Sequence, residues 1–108
     1  MERIVTIDGQ DVRLTANAAT PRLYRSQFKK DVFLGMQAAV TPEGEIKDFE
    51  LFENLAFIMA MQAGSIPIGT KIEDWLATFS PMAIPEATPQ LIELWSEETA
   101  TTSDAKKE

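Results

Sequence analysis

Apolar side chains recur through residues 48–64 at helical spacing, and they do so on two faces. One face repeats at i, i+3, i+4 and i+7 and comprises Phe52, Leu55, Ala56, Met59 and Ala63. Leu51, Ile58 and Met61 place apolar groups on a second face. A helix that is apolar around most of its circumference needs cover on every side. The pattern therefore predicts a central helix over about 46–63, on which the other elements pack.

The segment 3–14 alternates between apolar and polar residues on either side of Asp8-Gly9. Asp-Gly between alternating runs is typical of a two-residue β-hairpin, because the turn requires positive φ. The resulting register gathers the apolar side chains on one face, which holds Val5, Ile7, Val12 and Leu14. An isolated hairpin is marginal in water, so we expect this face to pack on helices or the strands to extend a neighbouring subunit's sheet.

Thr20-Pro21 predicts the start of a helix, with Thr20 as N-cap and proline at the first helical position. Its inward face is expected to hold Leu23, Tyr24, Gln27 and Phe28. A basic stripe on the opposite face is formed by Arg22, Arg25 and Lys29. This stripe is a candidate surface for an acidic partner, although an ordinary solvated helix face carries the same pattern.

Asp31 predicts the cap of a second helix, whose Val32, Phe33 and Met36 are expected in the core. The breaker run at 41–44 separates that helix from the central one.

Two more helices are predicted after residue 64. Thr70 and Glu73 have the spacing of a capping box, which indicates a short helix with Trp75 in the core. The last helix is expected to start at Pro85 or, more safely, at Thr88-Pro89, and to end near residue 97. Residues 98–108 contain no large apolar side chain, which predicts a disordered C-terminal tail.

Together these elements predict an α+β, mainly helical fold with an N-terminal two-stranded hairpin and four or five helices packed on the central one. A chain of 108 residues is long enough for one core, expected to span 1–97, with the helical part at 20–97. The hydrophobic share of 44% is ordinary for a globular protein, so disorder throughout the chain is not expected.

The chain contains no cysteine and no histidine, which removes thiolate and imidazole chemistry and the usual zinc ligands. Paired carboxylates such as Glu50 and Glu53 are able to serve acid–base chemistry or to bind a cation. Acidic residues at the start of a helix also stabilise its positive end, which is a sufficient structural role. We therefore expect no catalytic residue, no cofactor and no metal site.

The net charge of −7 is uneven, with +2 over residues 1–40 and −9 over residues 41–108. Such an acidic chain is a poor ligand for nucleic acid, so a protein partner is expected instead. The N-terminal residues lack the pattern of a signal peptide, and the longest apolar run, 55–61, is too short to span a bilayer. We expect no membrane partner and a cytoplasmic location.

Five strings, taken in order, resemble the tail assembly chaperones of long-tailed, siphovirus-type phages and prophages of Gram-positive bacteria. They are IDG at 7–9, ATPRLYR at 19–25, LFENLAFIMAMQA at 51–63, IEDWL at 72–76 and LIELW at 91–95. The resemblance covers nearly the whole chain, and its specificity comes from the order and spacing of the strings. Lys30 departs from it, because a glycine is expected after the helix that ends near Phe28.

The resemblance implies a non-catalytic protein that binds the tape measure protein, keeps it soluble and helps tail tube protein assemble around it. It also implies a location in the host bacterial cytoplasm and absence from the mature virion. Such chaperones are commonly made in two forms through a ribosomal frameshift, and Lys106-Lys107 is compatible with an A-rich slippery sequence. Methionine offers adaptable apolar surface to a client, although it is more often core filler; the candidates are Met36, Met59, Met61 and Met82.

Two other function classes stay open at this point. A small enzyme would depend on carboxylates such as Glu50, Glu53, Glu73 and Asp74, which alanine replacement would test. A small prophage-encoded regulator would use the basic helix of Arg22, Arg25, Lys29 and Lys30 to bind DNA, which gel retardation at low salt would detect.

Self-association is the last expectation. An unpaired edge on each hairpin strand, and a basic first helix on an otherwise acidic chain, favour a weak homo-oligomer. Several copies would also gain avidity on one long client.

Overall fold

In the computed structural model of the protein, secondary structure is described for residues 2–107 and side chains for residues 2–97. The segment 98–108, predicted to be a disordered tail, lies outside the residues described in full. The strands are β1 (Glu2–Ile7) and β2 (Gln10–Thr15), and the helices are α1 (Ala19–Phe28), α2 (Val32–Ala39), α3 (Glu50–Gln62), α4 (Ile72–Leu76) and α5 (Ala83–Lys107). The predicted α+β, mainly helical fold with an N-terminal hairpin is confirmed.

The hairpin has the register that Asp8-Gly9 predicts. Val5 pairs with Val12 and Ile7 with Gln10, and both turn residues have positive φ, 55° at Asp8 and 77° at Gly9. On the apolar face Val5, Ile7 and Leu14 are fully buried, and Val12 is half-buried. This face packs on the helices, because β1 lies against α5 and β2 against α3.

Side chains from the helical part bind the outer edge of each strand. Gln90 of α5 accepts from the Thr6 amide and donates to the Thr6 carbonyl, both at 3.4 Å. Ser65 Oγ donates to the Arg13 carbonyl at 2.7 Å. The expectation of an unpaired edge on each strand is therefore wrong at Thr6 and Arg13, where a side chain takes the place of a neighbouring strand.

The central helix α3 is confirmed as the core of the fold, since nine of its thirteen residues are buried. It begins at Glu50, later than the predicted 46, because the preceding residues are used in a turn. Val40 and Ile46 form an antiparallel bridge, and the Asp48 carboxylate then accepts from the Glu50 amide at 3.0 Å.

The first helix begins earlier than predicted, and Thr20 is not its N-cap. Asn17 Oδ1 accepts from the Ala19 amide at 2.9 Å, while the Thr20 hydroxyl is buried and donates to Gln62 Oε1 at 2.6 Å. Gln62 Nε2 in turn donates to Asn17 Oδ1 at 2.9 Å, which ties the start of α1 to the end of α3. The buried Thr20 hydroxyl thus bonds a half-buried side chain on another helix instead of capping its own helix.

On the inward face of α1, Tyr24 is buried and Phe28 half-buried, but Leu23 and Gln27 are exposed, contrary to prediction. Burial raises the pKa of Tyr24, and its hydrogen bond with Asn54 acts in the opposite direction. The helix ends at Phe28, and its C-cap, Lys29, has a left-handed φ of 60°. The left-handed residue therefore lies one position before Lys30, where the family resemblance led us to expect a glycine.

Asp31 caps α2 as predicted, since its carboxylate accepts from the Leu34 amide at 2.9 Å. Val32 is buried and Met36 half-buried, but Phe33 lies on the outer side of the helix, so its predicted core position is wrong. Gly35 faces α3, where a Cβ would lie 2.6 Å from Leu51 Cδ1, and its small size lets the two helices approach.

The predicted capping box of α4 is absent, because the N-cap is Lys71 and no side chain caps the helix. Trp75 is only half-buried, and it contacts the rings of Phe57 and Phe79 with centroids 5.8 and 5.2 Å apart.

The last helix, α5, begins at Ala83, so neither predicted start is correct and Pro89 lies inside the helix. Proline at that position removes one backbone hydrogen bond. Burial of Ala83, Ile84 and Ala87 against the core offsets this loss.

Candidate functional site

An open groove runs between α5 and the segment that precedes α3. It has a volume of ≈ 380 Å³ and is lined by Gly44, Ile46, Phe49, Pro85, Thr88, Pro89 and Ile92. Helix α5 packs on α3, and the segment that forms the other wall leads directly into α3 at Glu50, so the central helix fixes the spacing of the two walls.

The polar atoms of the lining residues are few and mostly turned away from the groove. The hydroxyl of the buried Thr88 donates to the carbonyl of Ile84 at 2.7 Å. Pro89 has no amide hydrogen, so it cannot donate to the carbonyl of Pro85 as another residue at this position of α5 would. The groove is therefore lined mainly by apolar side chains.

Apolar side chains extend this surface along α5 and onto α2. The ring of Phe33 packs on Trp95, with centroids 5.5 Å apart, and Trp95 follows Ile92 by three residues on the same face of α5. Phe33, Leu34 and Phe49 expose 47%, 67% and 37% of their surface. Contiguous exposed apolar surface in a small protein is typical of an interaction site. We call the lining residues together with Phe33 the apolar groove, whereas Leu34 is an exposed apolar residue on the outer side of α2.

The residues that flank the apolar groove are mainly acidic. Glu43, Glu45 and Asp48 neighbour its loop wall, Glu86 neighbours its helix wall, and all four are exposed. Among residues 43–48 and residue 86, Lys47 is the only cation. The groove thus combines apolar walls with a negative rim.

The basic stripe predicted on α1 is exposed at Arg22, Arg25 and Lys29, but it lies on a different helix from the apolar groove. Lys29 Nζ donates to the carbonyl of Ser26 at 2.9 Å, so this cation also closes the end of its own helix. The stripe as a partner-binding surface stays a prediction.

The four candidate methionines are not gathered on one surface. Met59 is completely buried in α3, so its side chain is not available to a partner and its place among the candidates is corrected to core packing. Met36 and Met61 are half-buried against the core, and only Met82, just before α5, is well exposed. Burial of Met59 follows from the apolar circumference of α3.

A second cleft, of ≈ 340 Å³, brings Glu50, Glu53 and Glu73 together with Lys30 and Asn54. Lys30 Nζ lies 3.4 Å from Glu50 Oε1, an exposed ion pair. Among the residues whose side chains are described, no group of acidic residues is arranged to hold a metal ion. The expectations of no catalytic residue, cofactor or metal remain predictions.

Burial raises the pKa of Glu53, and the nearby carboxylates of Glu50 and Asp48 raise it further. A carboxyl whose pKa is higher in the folded protein binds protons more tightly there than in the unfolded chain. Its ionisation therefore lowers the free energy of unfolding as pH rises through the ordinary glutamate range to the raised value.

We expect Glu53→Gln to raise the melting temperature at pH 7, because it removes this unfavourable ionisation. The gain should disappear at a pH below the ordinary glutamate range, where Glu53 is protonated in both states. Thermal denaturation of the variant and the parent across pH measures the difference. Glu43→Gln, an exposed position, serves as the control, and an equal gain there would contradict the assignment.

Sequence reasoning missed the residues that form the apolar groove. Phe33 was assigned to the core, and Pro89 to a helix start. One signal was available in α2: Val32, Met36 and Ala39 at i, i+4 and i+7 define its inward face, which leaves Phe33 and Leu34 outside. No local signal indicates that Phe33 and Trp95 meet across 62 residues.

In the portion of the chain with described structure, none of the helices combines the length and hydropathy required to cross a membrane.

Comparison of the chain with protein-family models, with curated proteins and with solved structures found no match.

Proposed function

We propose that this protein is a non-catalytic phage or prophage tail assembly chaperone. It binds the tape measure protein, keeps it soluble and promotes assembly of tail tube protein around it. The observation that supports the proposal best is the apolar groove, an exposed apolar surface on a strongly acidic protein. The order of sequence strings that resembles these chaperones agrees with it.

A chaperone of this kind needs two properties that oppose each other. It must present apolar surface to an aggregation-prone client, and it must keep the complex in solution. Exposed Phe33, Leu34 and Phe49 supply the first property. The net charge of −7 supplies the second, because like charges keep complexes apart.

Co-expression with the tape measure protein tests the proposal. We expect the intact chain to keep most of the tape measure protein in the soluble fraction. Phe33→Ser combined with Leu34→Ser should weaken binding about tenfold, a loss of ~1.4 kcal/mol, and so move a large part of the tape measure protein to the pellet. Ile68→Ser is the matched control, since Ile68 is a fully exposed apolar residue outside the groove. Quantitative blotting of soluble and pelleted fractions measures the effect.

Equal solubility of the tape measure protein with and without this chain would refute the proposed function. Circular dichroism of both serine variants verifies that any loss reflects the surface and not the fold. Phe33 and Leu34 lie on the outer side of α2 and Ile68 is fully exposed, so neither variant should unfold.

A further inference from the structure

We propose that the apolar groove binds a single amphipathic α-helix of the client, with lysine or arginine beside its apolar face. This inference rests on the proposed function, because it specifies the part of the client that the site takes. It follows from the backbone chemistry of the groove walls and from the charge of the rim.

The walls favour a helix over an extended segment. An extended peptide must find partners for its own N–H and C=O groups, which usually come from a free strand edge. The groove is walled by α5 and a loop, and the hairpin edges are bound by Gln90 and Ser65 at Thr6 and Arg13. A helix satisfies its backbone groups internally, so it can bury apolar side chains in this groove without leaving amides unpaired.

The length of the surface also suits a helix. From Pro85 to Ile92 the lining residues of α5 extend over about 10 Å, at ~1.5 Å per residue. A client helix of about two turns would cover this distance with apolar residues at i, i+3 or i+4, and i+7. Phe49, which lines the groove and is 37% exposed, would then contact this helix.

The rim selects the charge of the client helix. Glu43, Glu45, Asp48 and Glu86 surround the groove against one cation, Lys47. Lysine or arginine next to the client's apolar face would therefore be favoured, and acidic residues in the same positions would be repelled.

The test uses the full chain and three synthetic peptides of about 18 residues, or five helical turns. The first has leucines at helical spacing flanked by lysines, the second has glutamate in place of each lysine, and the third has the composition of the first in scrambled order with a central proline. Isothermal titration measures affinity, and circular dichroism measures the helicity gained on binding.

We expect the lysine peptide to bind with a gain of helicity and at least about tenfold more tightly than either other peptide. Phe49→Ser should weaken its binding about tenfold, and Ile68→Ser should leave it unchanged. Glu45→Gln together with Glu86→Gln should reduce the dependence of its affinity on salt.

Equal binding of the scrambled peptide, or equal loss in the Phe49→Ser and Ile68→Ser variants, would overturn the inference. A dimer of the chain that depends on Phe49 and excludes the peptide in sedimentation would overturn it in favour of a second copy as occupant. If the tape measure protein stays soluble in co-expression while the lysine peptide fails to bind, the inference fails and the proposed function survives. If the lysine peptide binds but the tape measure protein is not kept soluble, the proposed function fails and the groove is still a site for a helix.

Discussion

Leu55→Asp is expected to leave the chain unfolded in neutral buffer at room temperature. Leu55 lies in the middle of α3 and has no exposed surface. Its neighbours in the core are apolar, so the new carboxylate would be buried without a partner at a cost of several kcal/mol. Folded domains have a total stability of about 5–15 kcal/mol, so this single change removes most of it.

Leu34→Asp is the matched control, because it makes the same replacement at an exposed position of α2. Its carboxylate would stay hydrated and lie in the first turn of a helix, where negative charge is favourable. Far- and near-ultraviolet circular dichroism should show a native spectrum for Leu34→Asp and a largely unfolded one for Leu55→Asp. A native spectrum with an unchanged melting temperature for Leu55→Asp would contradict the central role of α3.

Phe57→Ala is expected to lower the free energy of unfolding by about 3–5 kcal/mol. Phe57 is fully buried, and its ring contacts Trp75 of α4. The lost ring leaves a cavity and removes the surface on which this short helix docks. Since α4 has only five residues, its position depends on such tertiary contacts more than on its own hydrogen bonds.

Urea titration measures this loss, and a Trp95→Phe background makes fluorescence report on Trp75 alone, since the chain has two tryptophans. Phe57→Leu keeps most of the volume and should cost less than about 1.5 kcal/mol. Alanine and leucine variants of equal stability would show that the Phe57–Trp75 contact does not hold α4 in place.

Under the proposed function, the apolar groove would let an acidic chain bind an apolar client. Its apolar walls would contact the client, while the exposed carboxylates around it remain in water. A solvated rim around an apolar centre is the usual anatomy of a protein interface. The arrangement needs neither histidine nor cysteine, and the chain contains neither.

The candidate site was harder to predict than the fold, because its members come from distant parts of the chain. Phe33 is a residue type that is common in protein cores. Because Val32, Met36 and Ala39 pack toward the core, Phe33 lies on the outer side of α2. Met59 has the chemistry of an adaptable contact residue, but its position in α3 buries it completely. Residue type alone could not separate these two cases.

Local periodicity by itself determined the hairpin register and the central position of α3. Asp8-Gly9 admits the positive φ values of a two-residue turn, and an alternation of period two then decides which side chains share a face. The helix α3 is apolar around most of its circumference, so burial was its only stable environment. Both features depend on neighbours a few residues away, which a sequence displays directly.

Only the tertiary structure decided where α1, α4 and α5 begin and which apolar residues stay outside the core. Competing helix starts differ by about 1 kcal/mol, so distant contacts such as Thr20 with Gln62 outweigh the local preference. The buried Ala83 and Ile84 extend α5 through Pro89 in the same way. The apolar groove exists because α5 packs on α3 beside the segment that leads into that helix, and because α2, on the same central helix, brings Phe33 against Trp95.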